Sequence, residues 1–228
     1  VATDGNGNQS AATTRAISID TSAPNAPVIS TVAGNDTINA SEQTAAITGT
    51  AEANATIALT LGTGNVRTVT ANGAGAWTYT LQPDDIAAMG QGAETLSATA
   101  TDAAGNVSAA GTRAITVATV VAGAPTIDSV TADDVINSSE QGFTITGTVS
   151  TGSTVALTLG GVNRAAAVSG TTWSYTLTGT DLTNMGQGAE TLSVVATDGN
   201  GNQSAATTRA ITIDTSAPNA PAISTVAG

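Results

Sequence analysis

The chain has no cysteine, no histidine and no lysine, and aromatic residues make up 2% of its 228 positions. Without cysteine, no disulfide can staple a domain and no thiolate site can hold zinc. With histidine missing too, the usual general base, the cysteine nucleophile and most zinc or copper ligation disappear together. Positive charge is scarce: five arginines face 17 acidic residues, for a net charge of −12. A surface of that sign repels phosphate backbones and anionic membranes, which excludes nucleic acid as a partner. No apolar run approaches the roughly 18 residues of a membrane span, so direct membrane insertion by this segment is not expected. The same acidity keeps a long molecule soluble and supplies oxygen ligands for hard cations such as calcium.

What is present is repetition. Residues 195–228 reproduce residues 1–34 except at Ser18/Thr212 and Val28/Ala222. A looser copy lies between them, so that Asp4, Asp102 and Asp198 stand 98 and 96 residues apart. Over twenty positions, residues 1–20 match 195–214 at 19 and match 99–118 at only 12. The higher-order unit is therefore a pair of unlike domains spanning 194 residues, and the chain reads as a window in a longer array. The expected organisation is 1–20, the last strands of a preceding repeat; 21–118, repeat 1; 119–214, repeat 2; and 215–228, the first strand of a following repeat.

Within repeat 1, larger apolar residues alternate with Thr or small residues over 27–32, 46–50, 56–61, 67–70, 77–81, 95–101 and 112–117. Each segment reads as a short strand with one buried face. Clusters of Gly, Asn and Asp separate them, which is turn chemistry. Seven short strands with regular turns predict an all-β architecture: tandem seven-stranded Ig-like antiparallel β-sandwiches arranged end to end. Residues 83–90 break the strand pattern and predict a short helical turn with Asp84 or Asp85 near its start, repeated at 180–186. Trp77 and Tyr79, like Trp173 and Tyr175, share one strand face; packing at the core or its edge is the expected role, against a sugar-stacking pair.

Acidic and amide residues gather in three recurring clusters. The first is the linker 19–24, repeated at 213–218, with Asp20 and Asp214. The second is 35–42, repeated at 133–140, with Asp36, Glu42, Asp134 and Glu140. The third is Asp102–Asn106, repeated from Asp4 and from Asp198. Turn formation explains each cluster singly, because Asn, Asp and Gly tolerate left-handed backbone. Calcium, which takes six to eight oxygens in flexible geometry, is the alternative. The run from Asp198 starts like an EF-hand loop but has Gln203 and Arg209 where Gly and a bidentate Glu are needed, so that motif is rejected. In a sandwich of this strand order the linker, the loop holding Glu52 and the last hairpin loop lie at one end. Asp20, Glu52 and Asp102 could then enclose one ion.

The opening APxISTVAGxDxINxSE, the TGTAEAxAT turn, GxWxYTL and the ending GxGAETLSxxATDxxGNxS resemble, over the whole chain, the bacterial Ig-like repeats of giant type I-secreted adhesins and biofilm-associated surface proteins. The resemblance implies an extracellular spacer on a bacterial cell surface, stiffened by Ca2+ at domain junctions, with neighbouring repeats of the same chain as partners. It implicates Asp20, Glu52 and Asp102 as ligands, with Asp36 and Glu42 beside them. The second junction departs from the pattern, since Ala118 replaces Asp20 and Ser150 replaces Glu52, leaving Asp198. An apolar junction, packed through Val120 and Val121, is expected there, with Asp128 as a compensating carboxylate.

Two other readings compete. One is a segment of an extracellular filament in which copies associate by strand addition. The other is a weak multivalent glycan-binding module using Trp77 and Tyr79. Enzymatic activity is not expected: Asp84/Asp85 and Asp133/Asp134 are adjacent carboxylates that point apart in an extended chain and do not face a shared cleft.

Overall fold

A computed structural model describes residues 1–222. Backbone proximity divides the described residues into two compact units, residues 1–36 with 44–116 and residues 37–43 with those from 117 onward. In the first repeat the strands are β1 (Val28–Ile29), β2 (Thr37–Asn39), β3 (Ala46–Thr50), β4 (Thr56–Thr60), β5 (Val66–Thr70), β6 (Ala76–Thr80), β7 (Gly92–Thr101) and β8 (Gly111–Ala118). One helix, α1 (Pro83–Met89), lies between β6 and β7. A three-stranded sheet, β1-β3-β6, and a five-stranded sheet, β2-β8-β7-β4-β5, form the two layers.

The second repeat contains β9 (Val135–Asn137), β10 (Thr144–Thr148), β11 (Thr154–Leu159), β12 (Val162–Ala165), β13 (Ala167–Ser169), β14 (Thr172–Thr176), β15 (Gly188–Thr197) and β16 (Thr207–Asp214). Its helix, α2 (Gly179–Met185), precedes β15. The sheets run β10-β14-β13 and β12-β11-β15-β16-β9, antiparallel except for the parallel pair β16/β9. Its Thr126 and Asp128 continue ladder bonding to Thr148 and Thr146 at 2.9 Å without forming a full strand.

The period-two pattern produces the layers directly. Ile57 and Leu59 on β4 are buried while Thr56 is exposed, so each inward residue meets the opposite sheet across one core. The first of the seven expected strands of repeat 1 is shorter than read: β1 is two residues long and the chain then turns through Ala33 and Asp36, both at positive φ. β2 was not legible because it is three residues with one apolar side chain, Ile38, which is fully buried. The helix α1 lies within the segment 83–90 expected for it, and α2 begins one residue before the expected 180–186.

Two tryptophans anchor the cores. Trp77 pairs with Gly49 and Trp173 with Gly147 on adjacent strands. A Cβ on either glycine would collide with the indole, so only glycine permits this approach. Trp173 Nε1 donates to the Thr126 carbonyl at 2.9 Å, whereas Trp77 Nε1 is buried without a partner.

Residues 1–20, expected as strands, contain only an isolated bridge between Thr3 and Gln9. The first strand expected in 215–228 corresponds to positions that lie largely outside the described residues.

Candidate functional site

Four of the five arginines are consumed by two repeated clamps. In the first, Asp85 lies fully buried and accepts from Arg67 Nε at 2.7 Å, Tyr79 Oη at 2.6 Å, Asn65 Nδ2 at 2.8 Å and the Gln82 backbone at 2.8 Å. Its counterpart Asp181 accepts from Arg164 Nε at 2.8 Å, Tyr175 Oη at 2.9 Å and Thr178 Oγ1 at 2.6 Å. Thr178 and Asp181 also form a reciprocal capping box at the start of α2. Burial pushes both carboxyls up, but these donors outweigh it and hold them down, Asp181 at about 2. Since Arg67 lies on the five-stranded sheet and Tyr79 on the three-stranded one, each hub ties the two layers together.

The second clamp is a forked ion pair. Arg113 donates to Asp36 through Nε at 2.6 Å and Nη2 at 2.5 Å, and its Nη1 reaches the Ile29 carbonyl at 3.2 Å. Arg209 repeats this on Asp134 at 2.7 and 2.6 Å and on the Ile127 carbonyl at 3.3 Å. The arginine hydrogen bond holds each carboxyl below its usual range. Asp36 and Asp134, named above among the expected calcium ligands, are each held in this structure by an arginine fork.

The third cluster folds into one loop in every copy. Asp102 Oδ1 accepts from the backbones of Ala104 at 2.9 Å and Asn106 at 2.8 Å, and Asn106 Nδ2 donates to Oδ2 at 2.9 Å. Asp198 and Asp4 make the corresponding bonds at 2.9 Å. The asparagine side chain, joined by backbone N–H groups, holds all three aspartates below their usual range.

The asparagine also reaches the linker, a contact the sequence does not announce. Asn106 Nδ2 donates to the Asp20 carbonyl at 3.2 Å. Asn202 Nδ2, on a residue 2% exposed, donates to the Ala118 carbonyl at 2.8 Å and approaches that of Val120 at 3.5 Å. The one available signal is an Asp with a Gly-Asn pair three and four residues later in all three copies, while the two positions after the Asp change in the middle copy.

Of the remaining expected ligands, Asp20 is exposed and accepts from the Ser22 backbone at 3.0 Å; Asp214 does the same with Ser216 at 3.4 Å. Glu42 and Glu140 each accept from a backbone N–H three residues earlier, at 3.1 Å. Glu52 is exposed and lines a surface depression with Asn25, Ala26 and Val28, just beyond the Asp20 linker. Asn106 brings the Asp20 backbone to the Asp102 loop. Among the described residues, however, no three acidic side chains are gathered closely enough to hold a metal ion.

Val120 and Val121 are 69% and 42% exposed. Asp128 accepts from Thr146 Oγ1 at 2.7 Å. The sugar-stacking alternative loses its platform, because Trp77 is 2% exposed and the Tyr79 hydroxyl is held by Asp85. Three of the four adjacent carboxylates are engaged: Asp85 is in its hub, Asp134 is paired with arginine, and Asp133 Oδ1 accepts from the Val135 backbone at 3.1 Å.

Comparison with known proteins fits this architecture. Residues 23–118 match the model of the bacterial Ig domain family. A solved Ca2+-stabilized adhesin that helps an Antarctic bacterium reach out and bind ice is 30% identical, with 95% of this chain and 56% of that one covered and a TM-score of 0.51. A 1.5-MDa bacterial ice-binding adhesin is 27% identical over 87% of this chain and 67% of that one, with a TM-score of 0.47. An immunoglobulin-like domain from the M. primoryensis ice-binding adhesin is 31% identical over 42% of this chain and all of that one, with a TM-score of 0.30. The chain spans little more than half the length of the first of these. No curated protein shows detectable similarity. Residues 23–118 thus match the bacterial Ig domain family, and the following repeat has the same fold.

Proposed function

We propose that the chain is an extender segment of a large bacterial surface or biofilm adhesin, outside the cell, whose work is to span distance without catalysis. The observation that carries this reading is the array itself: residues 1–34 return after 194 residues, and both arginine clamps are present in each of the two repeats between. The likeness to an adhesin that reaches out from its cell supports it. A module that recognised its own ligand would need an open site, and the aromatic pair is spent on the core.

Calcium enters this proposal at the Asp20 linker. Asp20, Glu52 and Asp102 supply hard oxygens, two of the three side chains are exposed and able to turn, and Asn106 already brings the Asp20 backbone to the Asp102 loop. Asp214 is the same linker position one unit later. The linker at Ala118, lacking two of the three carboxylates, relies on the Asn202 hydrogen bonds, so ion-responsive and ion-independent joints alternate.

Small-angle scattering of arrays of one, two and three 194-residue units in calcium tests the spacer role. A maximum dimension growing by a constant increment, about 35 Å per repeat if each adds one ten-residue strand length, is the expected result. Compaction independent of unit number would contradict it.

A further inference from the structure

Asparagine followed by glycine occurs three times, at Asn6-Gly7, Asn72-Gly73 and Asn200-Gly201. In such a pair no side chain on the second residue keeps its backbone nitrogen away from the asparagine Cγ. Asn72 and Asn200 are both exposed, so access to solvent does not separate them. Their backbone hydrogen bonds do. The Gly201 N–H donates to the Asp198 carbonyl at 3.1 Å, and the Gly7 N–H to that of Asp4 at 3.0 Å. The Gly73 N–H has no hydrogen-bond partner among the described residues.

Asn72 is held at its other polar groups save one. Its N–H donates to the Ala76 carbonyl at 2.8 Å, and its own carbonyl accepts from Gly75 at 2.8 Å and from Asn54 at 3.3 Å. Its side-chain Oδ1 accepts from the backbones of Ala74 at 2.9 Å and Ala76 at 3.0 Å. Those two N–H groups stand where negative charge gathers when a nucleophile adds to Cγ, which is the arrangement of an oxyanion hole. The exception is Nδ2, the group that would leave, which has no partner among the described residues.

We propose that Asn72 is a site of spontaneous deamidation, with the Gly73 nitrogen as nucleophile and the Ala74 and Ala76 N–H groups stabilising the charge that develops. Hydroxide from solvent removes the Gly73 N–H proton, and the nitrogen bonds to Asn72 Cγ as the carbonyl electron pair moves onto Oδ1. The pair returns, Nδ2 takes a proton from water as its bond to Cγ breaks, and ammonia leaves. Water then opens the succinimide ring at either carbonyl, giving aspartate or isoaspartate at position 72. In sum one water enters and one ammonia departs, with no change of oxidation state. The product adds negative charge to the turn between β5 and β6, and isoaspartate also adds a backbone carbon there. That turn is tied to the neighbouring loop, since the Ala51 N–H donates to the Gly75 carbonyl at 2.8 Å and Asn54 to that of Asn72. The second repeat has no asparagine between Arg164 and Trp173, so the modification belongs to one repeat of the pair.

Arginine is the only basic side chain, and trypsin therefore separates the sites, Asn72 into fragment 68–113 and Asn200 into 165–209. The full chain is held at mildly alkaline pH, folded or in urea, then digested, and the conversion is located by fragment-ion mass spectrometry. In the folded chain Asn72 should convert several-fold faster than Asn200, with isoaspartate among the products; in urea the two pairs should convert at similar rates. Gly73→Ala should slow conversion at position 72 several-fold while leaving the fold intact, because a Cβ there meets nothing within 4 Å. Asn200 converting as fast as Asn72 in the folded chain, Asn72 converting only in urea, or a Gly73→Ala chain converting at the natural rate would overturn the proposal.

Discussion

At the scale of single residues, the two tryptophans offer a controlled comparison. Both are buried against a strand glycine, but only Trp173 has a partner for its indole N–H. Replacing each by Phe removes similar volume and, at 173 alone, a hydrogen bond worth about 1 kcal/mol. Trp173→Phe should therefore destabilise its repeat by about 1 kcal/mol more than Trp77→Phe does, as read by urea denaturation of each variant. The hubs give a pH dependence of definite sign. Because Asp181 is held at about 2, below its unfolded value, its contribution is complete above pH ~4 and is lost as pH falls toward about 2. Asp181→Ala, which strands Arg164 and Tyr175, should cost about 3–5 kcal/mol at neutral pH and flatten the acid limb of the stability profile. These hubs also show what was readable. Asp85 was placed at a helix start from its neighbours alone, but its role as a bridge between sheets depends on Arg67 and Tyr79, 18 and 6 residues away, and no local pattern announces that.

At the scale of elements, strand periodicity reported the layers well because one face of each strand is buried and period two is then obligatory. It failed where burial rests on a single side chain, as at Ile38 in β2. The acidic clusters were visible as turns, but composition could not distribute their carboxylates. Arginine takes one pair and backbone N–H groups take others, leaving Asp20, Glu52 and Asp214 the most exposed. The Asn106 and Asn202 side chains donate to linker carbonyls in the two repeats. Asn202→Ala should speed proteolysis around Ala118–Val121 several-fold, with or without chelator, while urea midpoints of the sandwiches move little. Cleavage that accelerates only in chelator would assign that linker's order to an ion.

At the scale of the whole molecule, the chain builds domains that need neither disulfide nor large aromatic core. Two arginine clamps in each repeat join the sheets that a disulfide would otherwise tie, and the acidic remainder faces solvent. Arginine and aspartate survive in any redox environment, which suits a structure proposed to work outside the cell. Calcium is the term that would make such an array responsive to its surroundings, and it divides the two linkers by chemistry that the sequence already displays: Asp20 and Glu52 at one, Ala118 and Ser150 at the other. The measurement that tests this most directly is calcium titration of the chain by calorimetry, paired with thermal unfolding in calcium and in chelator, for the natural sequence and for Asp20→Asn with Glu52→Gln. At calcium one hundred times its dissociation constant, binding to the native state alone adds about 2.7 kcal/mol, enough to raise the midpoint of a 100-residue domain by about ten degrees or more. The account predicts that shift in the natural chain and its loss in the double variant; equal midpoints in calcium and chelator, or a shift that survives both substitutions, would contradict it.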